Sequence, residues 1–180
     1  MLNTNNLEET LTEAISECEH ESIFVLTDEN TRKDCWPAIK DFLVLRNATI
    51  ISIPAGDHHK DIHSLMKVWE QIEAGHATRH SLLINMGGGM VTDLGGFAAS
   101  TYKRGIDFIN IPTTLLAMVD ASVGGKTGIN FNGLKNEVGS FCEADAVLVD
   151  TEFLRTLDHA NLCSGYAEML KHALLHNAEM

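Results

Sequence analysis

The residues of this chain that could carry out chemistry are concentrated in residues 84–139. Gly87, Gly88 and Gly89 directly follow a strand-like apolar segment, residues 81–86, and precede a helix predicted over residues 91–102. Glycine lets backbone N–H groups approach a ligand closely, and the N-terminus of a helix favours anions. This order of strand, glycine turn and helix suits the pyrophosphate of a dinucleotide, although many α/β proteins contain such a turn for backbone reasons only.

Cations recur later in the same segment. Four of the chain's 13 lysines and arginines lie there, among mainly small and apolar residues: Lys103, Arg104, Lys126 and Lys135. They are either solvated surface charges or partners of an anion such as a phosphorylated substrate. The tetrapeptide Gly-Gly-Lys-Thr around Lys126 does not indicate a nucleoside triphosphatase, because that loop needs glycine where Asp120 stands.

Three metal-ligating side chains share one face of a helix predicted over residues 163–177. Glu168, His172 and His176 are spaced i, i+4, i+8, and carboxylate and imidazole are both good zinc ligands. Each step of four residues climbs ~6 Å, so all three cannot readily reach one ion at bond lengths of ~2 Å. Two neighbouring members of the set could do so. His58, His59 and His63 are instead expected in a solvated loop.

The elements that must position these residues alternate along the chain. Apolar periodicity predicts strands over residues 22–27, 48–53, 81–86, 107–111 and 146–149, and helices over residues 7–18, 34–45, 61–74, 91–102 and 113–121. Such alternation predicts an α/β fold with a doubly wound, Rossmann-like parallel sheet. Ligands of such sheets bind at the carboxyl ends of the strands, where Asp28, Asp57 and the glycine turn are expected.

Four longer segments carry a specific family likeness: GGGMVTDLGGFAASTYKRGI, IPTTLLAMVDASVGGKTGIN, GLKNEVG and SGYAEMLKHALL. They resemble the 3-dehydroquinate synthase family of sugar phosphate cyclases, and the likeness extends from about Phe24 to the C-terminus. It implies an NAD-binding α/β domain over residues 1–155, followed over residues 156–180 by the first helix of a truncated, helical metal- and substrate-binding domain. Because members of the family are considerably longer, we expect an inactive fragment of such an enzyme.

The resemblance also implies a reaction. The family's lyases convert 3-deoxy-D-arabino-heptulosonate 7-phosphate to 3-dehydroquinate and phosphate in the shikimate pathway of aromatic amino acid biosynthesis. Their cofactors are NAD, which is not consumed, and zinc or cobalt. The steps are oxidation of a hydroxyl, elimination of phosphate, reduction and aldol ring closure. Two alternatives stay open: a sister cyclase that acts on another sugar phosphate, and a non-catalytic NAD-binding fragment.

The same resemblance assigns residues to roles. It implies that NAD is bound by Asp28, Asn30, Asp57, Lys60, Gly88, Gly89, Asp93, Thr113, Thr114, Lys126, Lys135, Phe153 and Thr156. The residues implied for the sugar acid phosphate substrate and its chemistry are Asp120, Lys126, Lys135, Asn136, Lys171 and Arg104, with Glu168 as the metal ligand. Asp57 stands where the family usually has glutamate. The residue that matches Arg104 reaches the phosphate of a neighbouring subunit, which implies a homodimer.

Composition excludes several partners. A formal net charge of −12 and a pI near 5.0 argue against nucleic acid and anionic membrane surfaces, both of which select for basic patches. No apolar run approaches the ~20 residues of a membrane span, and the N-terminus lacks the features of a signal peptide, so we expect a cytoplasmic protein. The four cysteines are widely spaced, which favours reduced structural thiols.

Overall fold

Five α-helices and eight strands occur in residues 2–3 and 6–176, the part of the chain that the computed structural model describes. The helices are α1 (Leu7–Glu17), α2 (Glu29–Asp34), α3 (Ile62–Ala74), α4 (Gly89–Thr101) and α5 (His159–His176). The strands are β1 (Leu2–Asn3), β2 (Ser22–Asp28), β3 (Thr49–Ile53), β4 (Ser81–Gly87), β5 (Asp107–Pro112), β6 (Lys126–Phe131), β7 (Leu134–Phe141) and β8 (Ala146–Val149).

Six of the strands form one parallel sheet in the order β1-β8-β5-β4-β2-β3. The chain leaves β2 for β3 on one side and then crosses over to β4 on the other side. The carboxyl ends of β2 and β4, at Asp28 and Gly87, therefore lie next to each other at a topological switch point. This is the place where open α/β sheets bind their ligands.

Apolar side chains cover both faces of the sheet. Along β2, Val25 packs into a cluster with α1, whereas its neighbours Phe24 and Leu26 pack into a second cluster with α3 and α4. Alternation of this kind is expected because successive side chains of a strand point to opposite faces. Every residue of β4 is buried. Helices on both faces of a parallel sheet confirm the doubly wound α/β prediction.

The prediction of a helix over residues 34–45 is wrong. The Asp28 side chain accepts a hydrogen bond from the Thr31 N–H at 2.7 Å, and the Thr31 hydroxyl reaches back to the Asp28 backbone, so a capping box starts α2 at Glu29. Pro37 follows the end of α2 and disfavours a continuing helix before it. Two short 3₁₀ turns, Trp36–Ala38 and Leu43–Leu45, replace the predicted helix.

Two further elements depart from the prediction. The helix expected over residues 113–121 becomes a π-helix at Ala117–Ala121. β6 and β7 form an antiparallel hairpin that was not predicted. Asn132 and Gly133 turn it with φ angles of 54° and 81°. None of the described helices is long and apolar enough to cross a lipid bilayer.

Candidate functional site

A cleft of about 690 Å³ opens at the carboxyl edge of the sheet, between the ends of β2 and β4, the loop after β3 and the start of α5. Ten of the residues assigned to NAD line it: Asp28, Asn30, Asp57, Lys60, Gly88, Gly89, Asp93, Thr113, Thr114 and Thr156. The structure thus brings together residues that are up to 128 positions apart in the sequence. The size of the cleft lies within the range of cofactor pockets.

The glycine turn forms the floor of this cleft at the N-terminus of α4. Gly88 has extended backbone angles, and in the described part of the chain no side chain caps the helix there. The first N–H groups of a helix lack partners within it, so those of α4 are available to an anion. A Cβ atom on Gly88 would lie 3.0 Å from Cγ2 of Thr114. Glycine is therefore favoured at this position by close packing rather than by a left-handed backbone.

A buried lysine connects the cleft to the β6–β7 hairpin. The Lys60 ammonium is buried and donates hydrogen bonds to Asp93 Oδ2 at 2.8 Å and to Asn136 Oδ1 at 2.5 Å. Burial raises the pKa of the Asp93 carboxyl, and the Lys60 charge opposes this shift. Lys60 thus fixes α4 against β7.

Asp57 holds the rim of the cleft through a second ion pair. Its Oδ2 lies 2.8 Å from Lys135 Nζ, and this contact, opposed by partial burial, lowers the pKa of the Asp57 carboxyl. Asn130, which the sequence did not single out, donates from Nδ2 to the Asp57 carbonyl at 2.9 Å. Lys135 therefore lies beside the cleft, although it does not line it.

A second compartment of about 500 Å³ adjoins the cleft. Asp93, Asp120 and Asn136 line both, so the two spaces are contiguous. Lys126, at the start of β6, and Phe141, at the end of β7, line the second compartment only. Three residues assigned to the substrate, Asp120, Lys126 and Asn136, therefore meet next to the cleft lined by the residues assigned to NAD.

Asp120, Glu168 and His172 form a cluster that could hold a metal ion, with one ligand atom from each lying within 4.8 Å of the others. His172 Nε2 lies 3.5 Å from Asp120 Oδ1 and 3.4 Å from Glu168 Oε1. Glu168 Oε1 and His172 Nε2 are buried, and apart from ion-pair contacts, including one with Lys171, neither has a hydrogen-bond partner among the described residues. Two carboxylates and an imidazole are ligand types that fit a zinc or cobalt ion, and His172 Nε2 faces both carboxylates.

The metal cluster is only partly the one considered from sequence. Glu168 and His172 do converge, as two neighbours on one helix face can, but the third group is Asp120 from the π-helix. The side chain of His176 lies outside the described residues. A Cβ atom on Gly165 would lie 2.5 Å from Leu115 Cβ, so the missing side chain lets α5 approach the π-helical segment. This close approach carries Glu168 and His172 to Asp120.

Two assigned residues lie away from the cleft. Phe153 is buried in the core on the α1 side of the sheet. Arg104 is exposed in the turn after α4, with a φ angle of 72°, and lies beside the starts of β4 and β5. That edge of the sheet is opposite the cleft. Cys35, which no sequence signal marked, lines the cleft with its Sγ 3.7 Å from Thr156 Oγ1, and burial raises the pKa of its thiol.

Comparison with known proteins identifies the family of the chain. The family model described as 3-dehydroquinate synthase N-terminal matches residues 50–164. The 3-dehydroquinate synthase of Parabacteroides distasonis is 52% identical over 174 residues, which cover 97% of this chain and 49% of that protein. That of Streptococcus pyogenes is 36% identical over 177 residues, 98% of this chain and 50% of that protein. The chain thus spans about half the length of these relatives.

A solved structure shares the fold. The 2-epi-5-epi-valiolone synthase of Streptomyces hygroscopicus, solved with NAD⁺ and Zn²⁺ bound, superposes with a TM-score of 0.83 at 32% identity. The match covers 94% of this chain and 48% of that one. Since the family model spans more than half of the chain, and curated relatives match almost all of it, the chain belongs to the 3-dehydroquinate synthase family.

Proposed function

We propose that the chain is the NAD- and metal-binding N-terminal part of a 3-dehydroquinate synthase, which converts 3-deoxy-D-arabino-heptulosonate 7-phosphate to 3-dehydroquinate and phosphate in the shikimate pathway. The observation that carries the proposal is the meeting of three features at one edge of the sheet. These are the NAD cleft, the compartment that contains Lys126, and the cluster of Asp120, Glu168 and His172.

NAD would lie in the cleft with its pyrophosphate on the N-terminus of α4. Gly88 and Gly89 leave room for the phosphates, and the free N–H groups and helix dipole attract them. Asp57 follows β3 and can accept hydrogen bonds from a ribose hydroxyl, a role that suits a carboxylate beyond a strand end. The structure of the valiolone synthase contains NAD⁺, which supports the same cofactor here. NAD supplies a hydride acceptor and donor.

The substrate would lie in the adjoining compartment. The Lys126 ammonium can contact the substrate phosphate as a point charge, and the Asn136 side chain, held by Lys60, can orient a hydroxyl. Glu168 and His172 would hold a divalent ion together with Asp120, and an ion bound there would supply Lewis-acid chemistry. Lys171, paired with Glu168, adds positive charge beside this cluster.

A homodimer is part of the proposal. Arg104 lies at the sheet edge opposite the cleft, where it cannot serve the site of its own chain. It is exposed and available to a second subunit, as the family resemblance implies. Sedimentation of the purified chain tests whether it forms a dimer, and sedimentation of an Arg104→Ala variant tests whether Arg104 contributes to it. Both measurements are independent of cofactor binding.

The experiment that tests the function has two parts. The first titrates NAD into this chain, with Asp57→Ala as the weakened variant and Asp41→Ala, a change at an exposed position outside the cleft, as the matched control. We expect saturable binding that only Asp57→Ala weakens. Absence of NAD binding by the wild-type chain would contradict the proposal.

The second part measures phosphate release. Here the chain replaces the matched 174 residues of the Parabacteroides distasonis enzyme, so that the resulting chimera has the full length of a curated relative. We expect turnover of the seven-carbon 7-phosphate by the chimera, none by the 180-residue chain alone, and loss of turnover with Glu168→Ala. Turnover of a different sugar phosphate would favour a sister cyclase. NAD binding without any turnover by the chimera would favour a non-catalytic fragment.

A further inference from the structure

A buried pair of amides contacts the end of the π-helix that carries Asp120 and has no role in the function proposed above. Asn85 on β4 and Asn110 on β5 are paired in register, and both are buried. Asn85 Nδ2 donates to Asn110 Oδ1 at 3.0 Å, and Asn110 Nδ2 donates to the Ser122 carbonyl at 3.3 Å. A carbonyl oxygen can only accept, so Ser122 fixes the orientation of both amides.

Considered by itself, the amide pair destabilises the core. Asn85 Oδ1 is buried and has no hydrogen-bond partner among the residues the structure describes. It lies against α4, where a Cβ atom on Gly95 would be only 1.9 Å away. Two apolar residues of similar size would avoid the unsatisfied acceptor. The presence of the amides therefore points to a task other than stabilising the core.

Ser122 connects the amides to the site. It ends the π-helix Ala117–Ala121, and its N–H and its hydroxyl both donate to the Ala117 carbonyl, at 3.1 Å and 2.7 Å. The N–H bond spans five residues, which defines the π-turn. Such turns are rare and frequently mark functional sites. Asp120 lies inside this turn, and its carboxylate faces His172.

We propose that Asn110 is a positioning residue for Asp120. By holding the Ser122 carbonyl it keeps the last turn π-helical, and the π-turn in turn directs the Asp120 carboxylate toward Glu168 and His172. Without this bond the Ser122 carbonyl would be buried without its donor, and the turn could relax to ordinary α-helical spacing, which rotates Asp120 away. The proposal rests on the metal cluster assigned under the proposed function.

Amide hydrogen exchange tests the first link. Asn110→Ala should lower the protection of the Ser122 and Val123 N–H groups selectively, relative to N–H groups in the middle of β4. Asn85→Ala is the matched control, because it empties the same part of the core but leaves the Asn110–Ser122 bond in place. Ser122→Ala removes only the hydroxyl hydrogen bond, so it should lower the protection of the same two N–H groups by a smaller amount. It takes the place of Asn110→Ala if that variant does not fold. Equal protection in all variants would overturn the proposal.

A Zn²⁺ titration followed by the ring resonances of His172 tests the second link. We expect Asn110→Ala to raise the Kd about tenfold, the lower end of the effect typical of outer-shell partners of a metal, with Asn85→Ala close to wild type. Asp120→Asn is the reference for direct loss. If Asp120→Asn weakens binding and Asn110→Ala does not, the positioning role is refuted while the metal site stands. If Asp120→Asn has no effect, the assignment of Asp120 to the ion fails, and the positioning role fails with it.

Discussion

The Lys60 ammonium lies 2.8 Å from the Asp93 carboxylate, and this pair joins the loop after β3 to the first turns of α4. Its side chain is 6% exposed and that of Asp93 20%, so water screens the pair poorly. Asn136 on β7 accepts a second hydrogen bond from the same ammonium. One lysine thus holds three separate elements around the boundary between the NAD cleft and the adjoining compartment.

Replacing this lysine should destabilise the fold. Lys60→Met removes the cation and leaves Asp93 mostly buried beside Asp57 and Asp120, so we expect a loss of about 2–3 kcal/mol, less than for a fully buried pair because Asp93 is partly exposed. The pKa of Asp93, already raised by burial, should rise further. Urea unfolding measures the loss. A double variant, Lys60→Met with Asp93→Leu, should recover most of it, and additive losses would show that the two residues are not coupled.

Substitutions at Gly88 and Thr114 should separate the effect on NAD binding from the effect on stability. A Cβ atom on Gly88 would meet Thr114 Cγ2 at 3.0 Å and occupy space beside the N-terminus of α4, so Gly88→Ala should weaken NAD binding at least ~10-fold and cost ~1 kcal/mol of stability. Thr114→Ser keeps the hydroxyl but removes that methyl group. Combined with Gly88→Ala it should restore the melting temperature without restoring NAD affinity.

The sequence alone predicts that the bulkier Gly88→Val abolishes NAD binding and leaves the fold largely intact. The Thr114 contact predicts that it also destabilises the protein. If Gly88→Ala bound NAD as tightly as the wild type, the glycine would serve packing against Thr114 and nothing more. NAD titrations and thermal melts of the same samples distinguish these results.

Asp57 should make a small, pH-dependent contribution to stability. Lys135 lowers the pKa of its carboxyl in the folded state, so the contribution is present above the unfolded value of about 3.9 and is lost as pH falls through the folded value. The two side chains are 47% and 76% exposed, which limits the pair to about 0.2–1 kcal/mol. Asp57→Asn should therefore melt slightly below wild type at pH 6.5, and the gap should narrow as the pH falls below about 4 or in 1 M salt. A gap that is independent of pH would contradict the ion pair.

The predictable part of this molecule is the part encoded locally. Apolar strands such as residues 81–86 and the glycine turn that follows them carry their signal in consecutive residues, and both lie where the sequence predicts. The hairpin also has a local signal, since Asn132 and Gly133 form the Asn-Gly pair typical of a two-residue turn. The position of α2 depended on the capping box of Asp28 and Thr31, which outweighed the apolar pattern after it.

The candidate metal cluster is not predictable in the same way. Asp120 lies 48 residues before Glu168 in the sequence, and the two meet because of a π-turn and a tight helix contact. Neither leaves a periodic pattern. Family resemblance supplied Glu168 and placed Asp120 with the substrate, but the juxtaposition of Asp120 with His172 comes only from the three-dimensional arrangement.

The contact of Gly165 with the π-helical segment gives the sharpest test of that arrangement. A Cβ atom there would lie 2.5 Å from Leu115 Cβ and 2.6 Å from the Leu116 backbone nitrogen, so α5 must move if Gly165→Ala is to be accommodated. Alanine is favoured over glycine in a helix by up to ~1 kcal/mol, but overpacking costs about 1–3 kcal/mol, so we expect a net loss of stability. Glu168 and His172 should move away from Asp120, which weakens Zn²⁺ binding. Leu174→Ala, a change at a 76% exposed position of the same helix, is the control and should leave Zn²⁺ affinity unchanged. A higher melting temperature for Gly165→Ala with unchanged Zn²⁺ affinity would show that α5 does not depend on this contact to complete the cluster.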